Sequence, residues 1–167
     1  MDLQIKIRKA TINDIPAILG IVNHSIIHTT SNYHYEILPL EVQLQWFADK
    51  HAKNYPVIVA DYQGMAVGFA TYGMFREKIG YQYTVEHSVY VEEQFVGKGI
   101  GGLLLSELIS LAKSEGYHVM VGGIDAENTG SIAFHKHYGF VENGIIKEAG
   151  YKFGKWLDLL FMQLILK

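Results

Sequence analysis

Four glycines crowd into six positions at Gly97, Gly99, Gly101 and Gly102, between a stretch patterned as a strand and one patterned as a helix. Backbone without Cβ atoms turns tightly, and its N–H groups can converge with those of a helix N-terminus on an anion. One or two glycines suffice for an ordinary turn. The surplus points to a phosphate-bearing ligand. Gly97, Gly99 and Gly102 also satisfy the dinucleotide spacing G-x-G-x-x-G. That motif normally opens a first βαβ unit, whereas here hairpin-type strands precede it and about 65 residues follow, too few for a doubly wound sheet. A Walker loop is excluded, since no G-x-x-x-x-G-K-[ST] occurs.

The flanking pattern predicts a mixed α/β (α+β) sheet. Leu3, Ile5 and Ile7 alternate with polar residues as a first strand. Thr11–Asp14 reads as a helix start, with Ile15, Ile18, Leu19 and Val22 at helical spacing. Pro39 opens a second helix through Leu40, Leu44 and Phe47. Val57–Ala60, a turn at Asp61–Gly64 and Met65–Tyr72 form a hairpin. A strand over Tyr83–Val91 follows, then the glycine turn, a Leu-rich helix closed by Gly116, a strand over Tyr117–Ile124 and a short helix through His135. Strand, crossover helix and strand predict one parallel pair. Two strands, near Phe140–Ile146 and Leu157–Leu166, end the chain. Within Tyr83–Val91, Thr84, Glu86, Ser88 and Tyr90 share one face, and Val85, His87, Val89 and Val91 the other. Glu86 is thus a carboxylate inside a strong strand, where burial is expected to need a reason.

Composition narrows the function. At roughly 150 residues per domain, 167 residues predict one domain over 1–167. Fourteen Lys+Arg against 17 Asp+Glu give a net charge of −3 and no basic stripe, so no nucleic-acid partner is expected. The absence of cysteine removes thiol nucleophiles and Cys-type zinc sites. Gln4–Arg8 alternates, unlike a signal peptide, and no apolar run reaches the roughly 18–20 residues of a membrane span. A cytoplasmic protein without membrane partners is the expectation.

Gln94-x-x-Gly97-x-Gly99 after a strand, with Asn128 and a short helix ending His-Lys-His-Tyr-Gly139-Phe140, resembles the coenzyme A site of the GNAT superfamily. More narrowly, three segments resemble the phosphinothricin and methionine sulfoximine N-acetyltransferases: Thr84-Val-Glu-His-Ser-Val-Tyr-Val91, Glu127-Asn-Thr-Gly-Ser-Ile-Ala-Phe-His135 and Gly150-Tyr-Lys-Phe-Gly-Lys-Trp-Leu-Asp158. The resemblance implies the GNAT acyl-CoA N-acyltransferase fold, a central, mostly antiparallel mixed sheet flanked by helices. It implies acetyl-CoA as co-substrate and a homodimer; no metal is expected, since His135 and His137 at i, i+2 point to different helix faces. By the same resemblance, Val89, Tyr90 and Val91 pair with the pantetheine arm. Gly97, Lys98, Gly99, Ile100, Gly101 and Gly102 hold the pyrophosphate, and Asn128 with Ser131 holds the arm from the other side. Relatives often carry Arg around the position of Gln94; here Glu92–Phe95 brings two acids and no base.

Acetyl transfer to an amine needs a base for the ammonium proton and an acid for the leaving thiolate. The resemblance assigns these roles to Glu86 and His135. An imidazole with pKa near 6.5 can give or take a proton at neutral pH. Arg76, Tyr81, Val85, Glu86 and His87 are the expected acceptor contacts, with Thr30 and Tyr33 lining the pocket; a guanidinium at Arg76 suits a carboxylate or phosphinate. From the residues alone, Glu86 could instead bind a substrate ammonium, His135 could be a packed helix histidine, and Arg76 a solvated one. Trp46 and Trp156 read as core or interface residues. The acceptor is expected to be the α-amino group of a small amino-acid analogue. A protein N-terminus, polyamine or aminoglycoside stays open, as do a non-catalytic CoA-binding module and a nicotinamide oxidoreductase.

Overall fold

The computed structural model describes residues 4–167, so the expected role of Leu3 lies outside the described residues. Seven strands form one sheet in the order β1-β2-β3-β4-β5-β7-β6: β1 (Ile5–Lys9), β2 (Val57–Tyr62), β3 (Met65–Met74), β4 (Thr84–Val91), β5 (Val119–Asp125), β6 (Val141–Lys152) and β7 (Lys155–Ile165). Every neighbouring pair is antiparallel except β4–β5. That parallel pair is joined by helix α3 (Ile100–Ser114), the crossover the pattern predicts. Gln63 and Gly64 turn the β2–β3 hairpin with φ of 52° and 87°, and Asp61 Oδ1 accepts from the Gly64 N–H at 2.7 Å.

Helices cover both faces. Alternate strand residues separate the cores: Ile58 and Ala60 join Val85, Met120 and Leu160 under Leu104, Leu105 and Leu108 of α3. Val57, Val59 and Phe69 face the other way, under Ile15, Ile18, Val22 and Ile26 of α1 (Ile15–His28). Leu44, Trp46 and Phe47 of α2 (Leu40–Ala52) extend that second core. α4 (Thr129–His137) joins the α3 side through Ile132 and Phe134. Arg8 anchors the start of α1, donating to both Asp14 carboxylate oxygens at 2.7 and 2.8 Å and, through Nε, to Asp61 at 2.7 Å.

Two elements differ from expectation. The last hairpin is longer than its apolar pattern: β6 runs on to Lys152 and β7 begins at Lys155, because cross-strand pairing with β7 sustains polar residues that pattern alone leaves in a loop. Trp156 is not in the core; it lies on this hairpin, 63% exposed, its ring tilted against Tyr151 at 4.8 Å between centroids.

The feature that makes a site is a break in the middle of the sheet. β4 and β5 pair only at Thr84↔Val119, Val85↔Met120 and Glu86↔Val121. Beyond Glu86, β4 stays paired with β3 as far as Gly68↔Val91, and β5 stays paired with β7 as far as Asp125↔Leu159. The two strands therefore part from each other while each stays held by its outer neighbour.

Candidate active site

The gap opens into a cavity of about 680 Å³. The main-chain direction along β4 can be read from its two ends. The Tyr83 carbonyl accepts from Val119 on the β5 side, whereas Glu92 N–H donates to Val67 on the β3 side. Alternation then sends the N–H and C=O groups of His87, Val89 and Val91 into the gap. The Tyr90 main chain turns to β3, where its carbonyl crowds Gly68. Tyr90 lines the cavity with its ring, stacked on Phe69 at 5.3 Å, and its hydroxyl donates to the Ser31 carbonyl at 3.1 Å.

At one end of the gap lies the glycine turn. Gly97 and Gly99 adopt φ of 79° and 80°, the left-handed region that side chains disfavour, and Gly99 caps α3. The N–H groups of Ile100, Gly101 and Gly102 begin a 15-residue helix and have no intrahelical acceptor. Gly97, Gly99, Ile100, Gly101 and Gly102 all line the cavity. The Ile100 side chain is buried in the core, so its contribution is main chain. Gly102 packs under the Tyr138 hydroxyl, which leaves no room for a side chain. Lys98 does not line the cavity; its Nζ stands 4.9 Å over the Phe95 ring. Across the gap, Asn128 Oδ1 caps α4 by accepting from Ser131 N–H at 3.0 Å, and both residues line the wall. Such a cradle fits a diphosphate with an extended arm, since it offers main-chain donors and helix-end polarity in place of cations.

Glu86 reaches the cavity from the α1 face of the sheet. Its carboxyl is open to the cavity yet walled by protein. Burial lifts its pKa above the usual carboxylate range, partly opposed by the positive charge of Arg76. On the α3 face, His87 and His135 are each 7% exposed, with their Nε2 atoms 3.0 Å apart. The Nδ1–H of His87 donates to the Val121 carbonyl at 2.9 Å and that of His135 to the Ser131 carbonyl at 2.7 Å. Burial pushes His87 down to about 4, the charge of His135 adding to this, and burial also lowers His135. Glu86 and the histidines thus approach the gap from opposite faces.

The expected acceptor residues divide. Glu86 and His87 line the cavity, as do Thr30 and Tyr33. Val85 is fully buried in the core beside α3: it shares the His87 face but lies where β4 is still paired with β5, at Val85↔Met120, before the gap opens. Tyr81 and Arg76 lie outside the lining; Tyr81 packs edge-on to Phe75 at 5.8 Å and Arg76 stands 5.1 Å over the same ring. Asp125, which pattern reading leaves just past the strand, faces the cavity and accepts from the Thr30 hydroxyl at 2.5 Å. Gly122 and Gly123 are the other omission. A Cβ at Gly122 would sit 2.9 Å from His87 Cε1, and one at Gly123 would sit 3.3 Å from Glu86 Oε1. Consecutive glycines inside an apolar strand are the signal that marks such a close approach. Among the described residues no cluster of three or more His, Asp or Glu side chains forms a metal site.

A gapped sheet with a glycine-turned helix end defines an acyl-CoA-binding transferase, and comparison with known proteins agrees. The Acetyltransferase (GNAT) family profile matches residues 23–140. The chain is 42% identical, over 95% of its length and 92% of the relative's, to the L-methionine sulfoximine/L-methionine sulfone acetyltransferase of Salmonella typhimurium. It superposes on Salmonella typhimurium yncA, solved with its cofactor acetyl-CoA, with TM-score 0.94 at 42% identity, covering 98% of this chain and 94% of that one. It superposes equally on the ribosomal-protein-alanine N-acetyltransferase of Brucella melitensis, with TM-score 0.95 at 45% identity over 96% and 99% of the two chains. The chain belongs to the GNAT acetyltransferase family and is an acetyl-CoA-dependent N-acetyltransferase.

Proposed function

We propose that this enzyme acetylates the α-amino group of a small amino-acid-like acceptor of the methionine sulfoximine, methionine sulfone or phosphinothricin type. The observation that carries the reading is the parting of β4 and β5 directly beyond Glu86, with the glycine turn at one end and a carboxylate-lined pocket at the other. Main-chain groups of Val89 and Val91 would pair with the pantetheine arm, and the turn from Gly97 to Gly102 would hold the diphosphate. At the acceptor end Glu86 and Asp125 suit an ammonium, and Arg76, outside the lining but with its charge acting on Glu86, is the candidate partner for a carboxylate or phosphinate.

Glu86 takes one proton from the acceptor ammonium, directly or through a single water, and its lifted pKa makes it a better base than a carboxylate in bulk water. The freed amine attacks the thioester carbonyl, which main-chain N–H groups of the gap polarise. The C–S bond breaks with its electrons on sulfur, and the His135 side of the gap returns a proton there. The exposed Trp156, Tyr151, Phe153 and Ile146 at the β6–β7 edge support pairing with a second copy of this chain. The use of acetyl-CoA as co-substrate supports a cytoplasmic location for the reaction.

The deciding experiment measures acetyl-CoA consumption with methionine sulfoximine, methionine sulfone, phosphinothricin and a panel of peptides with free N-terminal alanine. Turnover on the small acceptors with none on the peptides is expected. Turnover confined to the peptides would transfer the acceptor assignment to a protein N-terminus.

A further inference from the structure

His87 and His135 pose a problem of proton counting. A carbonyl oxygen only accepts, so the Nδ1 atoms that face the Val121 and Ser131 carbonyls at 2.9 and 2.7 Å both carry hydrogen; the Ser131 hydroxyl, at 3.4 Å from His135 Nδ1, is the longer contact and accepts there rather than donates. A neutral imidazole has one N–H. With both rings neutral, their Nε2 lone pairs would therefore face each other across 3.0 Å with nothing between them. One added proton converts that repulsion into a charge-assisted N–H···N bond. The rings cannot readily turn away. His87 is packed against Phe140 at 5.2 Å and His135 against Phe134 and Phe140 at 5.2 Å each, and Gly122 leaves only ring-sized space behind them.

Among the described residues, no carboxylate bonds to either ring. The groups packed around the pair are Val121 and Gly122 from β5, Ser131 and Phe134 from α4, and Phe140. Among the described residues, the charge that acts on His87 is that of His135. Glu86 is next to His87 in sequence but projects from the opposite face of β4. Burial therefore favours neutral rings, and the facing Nε2 atoms favour one proton. An anion arriving in the cavity, which both rings line, tips that balance toward the protonated pair.

We propose that His87 and His135 act as one proton-holding unit, a single proton lying between their Nε2 atoms, and that this unit supplies the proton taken up by the departing thiolate of coenzyme A. The inference deepens the acetyl-transfer reading and rests on it. The protons balance: the acceptor ammonium loses two in becoming an amide, one to Glu86 and one to solvent, while sulfur gains one from the pair and solvent restores it, so one proton is released overall. In the step itself an N–H bond of the pair breaks, an S–H bond forms, and the pair returns to neutral until solvent restores its proton. His135 alone would be committed by its Nδ1–H to Ser131 and by its Nε2 to His87; the pair explains how it still has a proton to give.

The test has two arms. Nitrogen-15 NMR of the wild-type enzyme bound to coenzyme A at pH 7 should count three N–H protons on the two rings, one strongly deshielded and shared between Nε2 atoms. Two neutral rings with one Nδ1 bare would overturn the proposal. In the second arm His87→Gln keeps an N–H donor to His135 but cannot hold a shared proton. Its alkaline limb in kcat should move to lower pH by about one unit, with kcat down roughly tenfold or more and KM for acetyl-CoA unchanged. A folded His87→Gln enzyme with the wild-type pH profile sinks the idea. Either failure leaves acetyl transfer by the wild type untouched. If the wild type transferred no acetyl group at all, the parent reading would fall, and the NMR count would still decide whether the pair holds its proton.

Discussion

Glu86 shows how one side chain can be read twice. As a carboxylate within Thr84–Val91 it is anomalous from pattern alone, and that anomaly is what singles it out. Folding then favours its protonated form, because burial raises its pKa. That contribution is complete below the unfolded value of about 4.3 and is lost as pH rises through the folded one. At neutral pH the ionised carboxylate is a cost, so Glu86→Gln should melt at a higher temperature than wild type at pH 7, with the gap closing near pH 4 in thermal scans. The same variant should lose about 10²- to 10⁴-fold in kcat while binding acetyl-CoA as before, measured by steady-state kinetics and titration calorimetry. Gly122 makes the complementary case. Its alanine variant puts a methyl 2.9 Å from His87 Cε1, and since that ring is enclosed it must shift. We expect a loss on the order of 10²-fold in kcat with the fold intact by circular dichroism. Sequence contains the Gly-Gly pair, but nothing local says which buried ring it makes room for.

Among the elements, the segment after α1 depends on the far end of the chain. Lys152 of β6 is 3% exposed and donates to the carbonyls of Thr29, at 2.8 Å, and Asn32. The Tyr35 hydroxyl donates to the Tyr151 carbonyl, and the Tyr33 ring lies against Gly150. Thr30 and Tyr33 on that segment form the cavity wall, so the β6–β7 tip holds one side of the acceptor pocket. Lys152→Met keeps the stem but leaves two carbonyls unpaired, at about 1–3 kcal/mol. KM for the amine acceptor should rise about tenfold while KM for acetyl-CoA is unchanged, and equal rises in both would remove the clamp from the acceptor side. The motif Gly150–Asp158 is legible as a resemblance. Its physical purpose is not, because the partners of Lys152 and Gly150 lie more than a hundred residues earlier.

For the whole molecule, the hairpin that ends the sheet has its outer face uncovered. β6 is an edge strand, and Trp156 and Phe153 are 63% and 59% exposed. Long apolar edges are normally paired or covered. Analytical ultracentrifugation should therefore find a dimer at micromolar concentration, and Trp156→Glu should shift it to monomer with the secondary structure retained. A wild-type monomer throughout that range would refute the pairing. From sequence alone one can obtain what short-range physics dictates. Alternation and helical spacing define the strands and helices, surplus glycine implies an anion cradle, and a carboxylate within a β-branched run marks the reacting face. Tertiary structure decided what no window of neighbours contains. It parted β4 from β5 just past Glu86, brought two imidazoles from different elements Nε2 to Nε2, turned Val85 into the core, and set Asp125 against Thr30. These are contacts between residues distant in the chain, and side-chain directions there are fixed only once the sheet and the helices on both its faces have packed.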